Sequence, residues 1–371
     1  MNKKLIIFGT RPEFIKLLPV IMEIKRQGLE NNFVLIFTGQ HEDLTKDLFE
    51  RFEIKPNYTI HIKNSYSKLS YAFSDILSGI QKIIENIRRT DKISMIIGQG
   101  DTTSCVCAAM CSFFNGIPFG HIEAGLRTND FKNPYPEEYF RRIITLTSTI
   151  NFAPTIRAKE NLLKEGIRKE NIILTGNTIV DAIEIIRTHI PKPETKNNHC
   201  KNFINSKNNI LITCHRRENQ NNKFYTLVET IKLLANENPS LNFIWISHKT
   251  PFIKNELTSE TFLDQNNIFV ISPINVIEIY NLYNNTRIII TDSGGVQEEA
   301  PSFNIPVIII REHTERTESI DLGYSKLSSN LKEDLICSFN NLIKLRPMKM
   351  ENPYGDGKAS QRIVNYLNKI A

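Results

Sequence analysis

The sequence predicts an α/β fold of two doubly wound, parallel-stranded domains, and three observations carry that prediction. Short β-branched runs alternate with longer helix-patterned segments, the mark of a parallel sheet covered by helices on both faces. The pattern breaks once, at a polar and prolyl stretch, and then starts again. The chain has 371 residues, more than the roughly 100–200 that one domain commonly holds.

In order, the first set of strand runs is KLIIFG (4–9), FVLIFT (33–38), ISMIIG (93–98), PFGHI (118–122), INFAP (150–154) and NIILTGN (171–177). A helical segment near 178–189 then leads into IPKPETKNNHCKNFINSKNN, which is too polar and weakly patterned to build a core. The second set is NILIT (209–213), FIWIS (243–247), IFVIS (268–272), RIIIT (287–291) and PVIII (306–310). We therefore place a first domain at 1–177, a helix and linker at 178–208, and a second domain at 209–371. The amphipathic ASQRIVNYLNKI at the end is a helix and a candidate to pack back on the first domain. The two halves share no residue-level repeat, and ligands of such folds bind at the carboxyl ends of strands, here in a cleft between facing sheets.

Composition narrows the function. Lys and Arg give a net charge of +6 but are spread along the chain, which fits an anionic ligand and not a nucleic acid or a membrane surface. No run approaches membrane-spanning length, and the apolar run at the start is too short for a signal segment. The six cysteines form no CxxC pair, so reduced thiols in a cytoplasmic protein are expected. SCVCAAMC reads as small packing residues of a helix, because Cys105 and Cys107 point to different faces. Without HExxH or paired-histidine spacing, no metal is required.

Unusual polar residues gather where strands end. FGTRPEFIK sets Arg11 and Lys16 beside a glycine turn, with Pro12 near a helix start, a favourable anion site. TGQH, GQGDTTS, LTGN and ITCHRREN follow other strands. In TDSGGVQEE, Gly294 and Gly295 let a backbone approach a phosphate, Ser293 flanks them, and Glu299 lies within reach of ribose hydroxyls. The plainer alternative is a turn capped by Asp292 or Ser293. GxGxxG and GxxxxGK[ST] are both absent, which disfavours a dinucleotide dehydrogenase or a P-loop NTPase. Asp101, Glu123 and Glu137 form a set of strand-end acids, opposite His215, Arg216 and Arg217 of the other domain. Carboxylates of this kind serve as general acids and bases, while arginines neutralise a departing phosphate. His121 reads as a satisfied strand-end histidine and Glu138 as a structural or solvated neighbour.

Taken in order, GTRPEFIKLLPV, TGQH, GDTTS, HIEAGLRT, YPEE, TGNTIVDA, HRREN, TDSGGVQEEAPS, TER and NPYGDGKAS resemble the non-hydrolysing bacterial UDP-N-acetylglucosamine 2-epimerases almost end to end. The resemblance implies two Rossmann-like domains facing across a cleft in the GT-B arrangement, a homodimer, no cofactor, and reversible conversion of UDP-GlcNAc to UDP-ManNAc through 2-acetamidoglucal. It carries over Asp101, Glu123 and Glu137 as catalytic acids and His215 as the histidine of the site. It also assigns Arg11 and Lys16 as cations, Arg216 as an organiser of the sugar diphosphate, and Ser293 with Glu299 as phosphate and ribose contacts. Gln40, Glu137, Arg216 and His248 match the family's allosteric site, where Asp43 replaces an amide and Tyr66 an arginine. Phe140 stands where the motif continues to asparagine, and Thr317 where proline follows TER. The alternatives are a hydrolysing epimerase, which lacks the YPEE motif, an epimerase of a related UDP-HexNAc, a GT-B glycosyltransferase, and a catalytically silent nucleotide-sugar-binding regulator.

Overall fold

A computed structural model describes residues 2–40, 42–62, 68–189, 203, 206–220, 222–248, 250–262, 264–329, 331–344 and 351–370. It divides into two compact units, Met1–Ala182 with Tyr354–Ala371, and Ile183–Pro353.

The first unit holds β1 (Asn2–Phe8), β2 (Phe33–Phe37), β3 (Tyr58–Thr59), β4 (Lys92–Gln99), β5 (Phe119–Ile122), β6 (Ile150–Ala153) and β7 (Ile172–Leu174). These form one parallel sheet in the order β3-β2-β1-β4-β5-β6-β7. Leu5, Ile6, Ile7 and Phe8 are all fully buried, as a strand covered on both faces must be. Ile76, Ile80 and Ile84 of the helix Leu69–Ile87 pack with Ile7, Ile96 and the small residues of Thr103–Phe114. Cys105, Cys107 and Cys111 lie in that core as free thiols.

The second unit repeats the winding with β8 (Asn209–Thr213), β9 (Asn242–Ile246), β10 (Ile268–Ile271), β11 (Thr286–Thr291), β12 (Val307–Ile309) and β13 (Ser325–Leu327), in the order β10-β9-β8-β11-β12-β13. Strands β3 and β13 were not expected from the sequence, since two or three residues at a sheet edge show no period. Winding reverses between β1 and β4 in one unit and between β8 and β11 in the other. Ligand sites of open α/β sheets form outside the strand ends at such points. Among the described residues, no helix is long and apolar enough to cross a membrane.

The final helix, Ala359–Lys369, is part of the first unit. Buried Asp181 anchors its start, accepting from the Ala359 amide at 3.3 Å, the Ser360 amide at 2.9 Å and the Ser360 hydroxyl at 2.6 Å. This is a helix cap supplied by a residue distant in sequence. Asp181→Ala should destabilise the first unit by about 2 kcal/mol and lower its unfolding temperature by roughly 5 °C. A calorimetric scan with an unchanged transition would remove the anchoring role.

Candidate active site

In the first unit the site begins with the turn after β1. Thr10 caps the helix Arg11–Arg26, and Glu13 closes a capping box with it. Glu13 Oε2 accepts from the amides of Gly9 at 3.0 Å and Thr10 at 2.7 Å, while Oε1 accepts from the Thr102 hydroxyl at 2.6 Å. These bonds favour the carboxylate, yet burial outweighs them and pushes the Glu13 pKa up to about 7. Arg11 opens the same helix. Further along it, Lys16 pairs with Glu123, both side chains being less than a tenth exposed, at 9% and 7%.

Glu123 follows the last residue of β5 with φ +69°. An L-residue in this left-handed region is strained by roughly 1–2 kcal/mol, and such strain gathers at functional sites. Two residues later, a Cβ on Gly125 would lie 2.2 Å from the Ala158 carbonyl oxygen, so only glycine lets this turn reach the helix Ile156–Lys164. Asp101 follows β4, the neighbouring strand, and its Oδ2 accepts from Arg141 Nε at 2.8 Å. Arg141 also donates to Glu138 at 3.2 Å. Glu138 is fully buried and takes the amides of Thr128 at 3.0 Å and Asn129 at 3.3 Å. Its role is structural, not solvated.

Glu137 opens the helix Glu137–Thr147, which carries Arg141. Phe140 on that helix is buried in the core with Phe119 and Ile144. Arg127 is a clamp: it grips Glu165 at 2.6 and 2.8 Å and Thr145 at 2.7 Å. His121 is satisfied on one nitrogen, Nε2, which lies 2.8 Å from the Gly100 carbonyl oxygen. Its Nδ1 has no partner among the described residues. Burial pushes its pKa down to about 4, so it is neutral at physiological pH. Gln40 accepts from the Ser104 hydroxyl at 2.6 Å, on the helix that follows Asp101.

The second unit builds its cluster on Asp292, the first residue after β11. Fully buried, it accepts from the amides of His215 and Arg216, each at 2.9 Å, and from Asn219 Nδ2 at 3.0 Å. His215 Nδ1 lies 3.2 Å from Oδ1 of the same carboxylate, and Arg216 Nε donates to the Asp292 carbonyl at 2.9 Å. Asp292 therefore does not cap its own helix, as one sequence reading had it; it ties the turn after β8 to the turn after β11. The histidine ring stacks on His248 with centroids 4.9 Å apart. Burial, then Arg311 beside it, pushes the Arg216 pKa down.

Ser293 precedes the short helix Gly294–Glu299 without capping it through its side chain. A Cβ on Gly294 would meet Arg316 Nη1 at 2.6 Å, so the absent side chain admits a guanidinium against the backbone. Gly295 follows it in the first turn. Glu299 accepts from Tyr283 at 3.2 Å and Tyr280 at 3.5 Å, which fixes its carboxylate. Tyr66, and the side chains of Asp43 and Arg217, lie outside the described residues. Sequence reasoning missed Glu13, Arg141, Arg316 and the bridging role of Asp292. Only Glu13 had a local signal, the T-x-x-E capping box in TRPE.

Glu13 gives the site a pH signature. Its folded pKa of about 7 lies above the usual 4.5, so between those values the folded state holds more protons than the unfolded one. The contribution of Glu13 to stability should then fall as pH rises through this window, by about 3 kcal/mol at most. Denaturant titrations from pH 4.5 to 7.5 should show the wild type losing stability relative to Glu13→Gln by that amount, a difference from which the opposing contribution of buried His121 cancels. Parallel profiles would refute the assignment.

Comparison with known proteins identifies the family. Residues 23–368 match the family described as UDP-N-acetylglucosamine 2-epimerase. The UDP-N-acetylglucosamine 2-epimerase of Campylobacter jejuni is 36% identical, the match covering 100% of this chain and 98% of the relative. The crystal structure of UDP-GlcNAc 2-epimerase from Neisseria meningitidis bound to UDP-GlcNAc superposes with a TM-score of 0.90 at 35% identity, covering 99% of this chain and 100% of that one. The Methanocaldococcus jannaschii UDP-GlcNAc 2-epimerase in complex with UDP-GlcNAc and UDP gives 0.83 at 32% identity, with full coverage of both chains at 100%. With two doubly wound parallel sheets and these full-length likenesses, the chain belongs to the UDP-N-acetylglucosamine 2-epimerase family.

Proposed function

We propose that this enzyme interconverts UDP-GlcNAc and UDP-ManNAc without hydrolysis. The observation that carries the reading is the pair Asp101 and Glu123, acids at the ends of adjacent parallel strands, each held by a buried cation. The C2 hydrogen of the sugar has no neighbouring carbonyl and is not acidic, so direct deprotonation and return is unfavourable. Elimination avoids this problem. One carboxylate takes the C2 proton as the C1–O bond breaks, giving 2-acetamidoglucal and UDP. Re-addition of UDP at C1, with a proton delivered to the opposite face of C2, yields the epimer.

The remaining groups fit the parts of that cycle. Arg216, Ser293 and the backbone at Gly294 and Gly295 bind the diphosphate, Glu299 takes the ribose hydroxyls, and Arg11 adds positive charge. His215, oriented by Asp292, and Glu137 complete the sugar site. The chemistry calls for no cofactor. We further propose a homodimer in the cytoplasm whose product supplies ManNAc units for surface polysaccharide. Exposed Phe113, Phe114 and Leu146 on the first unit support self-association. Because Phe140 packs in the core, it gives no ground for a different UDP-HexNAc.

Incubation with UDP-GlcNAc in D2O, followed by NMR, should give UDP-ManNAc with deuterium at C2; free ManNAc as the product would instead establish hydrolysis. Asp101→Asn and Glu123→Gln should each slow C2 exchange by about 10²–10⁴-fold and leave UDP affinity within about twofold. Wild-type exchange in both would remove the acid–base assignment.

Asp43 and Tyr66 depart from the family's regulated pattern, and we propose that activation by UDP-GlcNAc, mediated by Gln40 and His248, is weakened. UDP-ManNAc alone should then turn over without a lag. Strict dependence on added UDP-GlcNAc would show that regulation is intact.

A further inference from the structure

Asp101 is held in place through its two chain neighbours. On one side, Gly100 is engaged at both backbone groups by β5. Its amide donates to the Ile122 carbonyl at 3.0 Å, and its carbonyl oxygen lies 2.8 Å from His121 Nε2. Because His121 is neutral and that contact is to a carbonyl oxygen, Nε2 carries the proton. On the other side, Thr102 donates to Glu13 Oε1 at 2.6 Å while accepting from the Cys105 amide at 3.1 Å. Its hydroxyl thereby ties Glu13 to the helix Thr103–Phe114, which starts from it. His121 and Glu13 are 1% exposed, and each engages a chain neighbour of Asp101.

We propose that Glu13 and His121 are positioning residues for the epimerisation, which fix the backbone on either side of Asp101 and so aim its carboxylate at the sugar. The proposal rests on the reading of Asp101 as a proton-transfer acid. Glu13 does this from the helix that bears Lys16, the partner of Glu123, so one buried carboxylate ties the supports of both acids together. Small displacements of a proton-transfer group cost rate far more than binding, up to about 10²-fold for a shift near 1 Å.

The test compares steady-state kinetics with UDP affinity in the full-length enzyme. Glu13→Ala should lower kcat about 30-fold to 100-fold, with KM for UDP-GlcNAc and Kd for UDP within about threefold. Glu13→Gln should recover most of that loss, because its amide oxygen can accept from Gly9 and Thr10 while its NH2 donates to Thr102. His121→Phe keeps ring volume, loses the N–H, and should lower kcat about tenfold with the same unchanged KM. If Glu13→Ala does not fold, Thr102→Val breaks the same link and should show the same split. An unchanged kcat, a loss confined to KM, or a Gln variant no better than Ala would overturn the proposal. Asp101→Asn is the control for the underlying reading. If it turns over at the wild-type rate, that reading fails; if it is inactive while Glu13→Ala is normal, only the positioning role fails.

Discussion

Both sheets are wholly parallel, and their central strands are covered on both faces, so the core has no room for function. Leu5, Ile6, Ile7 and Phe8 in one unit, and Ile288, Ile289 and Ile290 in the other, have no exposed surface. Polar groups can therefore leave the core only at strand ends, and the gap between diverging helices opens where the winding reverses. The turns after β1 and β4, and those after β8 and β11, flank these two reversals. The two units share a winding order but carry different chemistry there. Acids with cationic partners mark the first, and a histidine and an arginine organised by one carboxylate mark the second.

Two devices stabilise the charges that this constraint forces into partial or complete burial. Some are paired, as Lys16 with Glu123, Arg141 with Asp101 and Glu138, and Arg316 with Glu298 and Glu315. Others are solvated by backbone amides and hydroxyls, as are Glu13, Asp181 and Asp292. Either device fixes a carboxylate before substrate arrives, which is how preorganised electrostatics lowers a barrier without reorganisation during the reaction. The same arrangement makes the groups interdependent. Deleting one partner of a buried pair leaves an uncompensated charge, at a cost of about 3–5 kcal/mol.

What could be read from the sequence follows the same division between local and long-range causes. Strands β1, β2 and β4 to β12 announce themselves through β-branched runs, and the residues at their ends through glycines and abrupt polarity. SGG was legible as a close approach, but the group approaching Gly294 is Arg316, which no local pattern could disclose. Likewise Arg141 reaches Asp101 across 40 positions, Asp292 reaches Arg216 across 76, and Asp181 reaches Ser360 across 179. These are tertiary facts. Glu13 is the instructive exception, since TRPE contains the capping-box spacing and differs from an ordinary cap only in its link to Thr102 across 89 positions.

The segment HIEAGLRT shows how densely such links can be laid. His121 takes the carbonyl side of Gly100, and Ile122 takes its amide. Glu123 turns into a left-handed conformation and meets Lys16, Gly125 closes on the Ala158 carbonyl, and Arg127 joins Glu165 to Thr145. Four elements besides β5 are thus fixed by seven consecutive residues: the turn after β4 and the helices Arg11–Arg26, Glu137–Thr147 and Ile156–Lys164. The strain at Glu123 persists because its neighbours on both sides are held independently, which is the condition under which a costly backbone conformation survives. A substitution at Gly125 or Arg127 would accordingly release Glu123 without touching it, so loss of activity from either position says more about the support of the acid than about contact with the sugar.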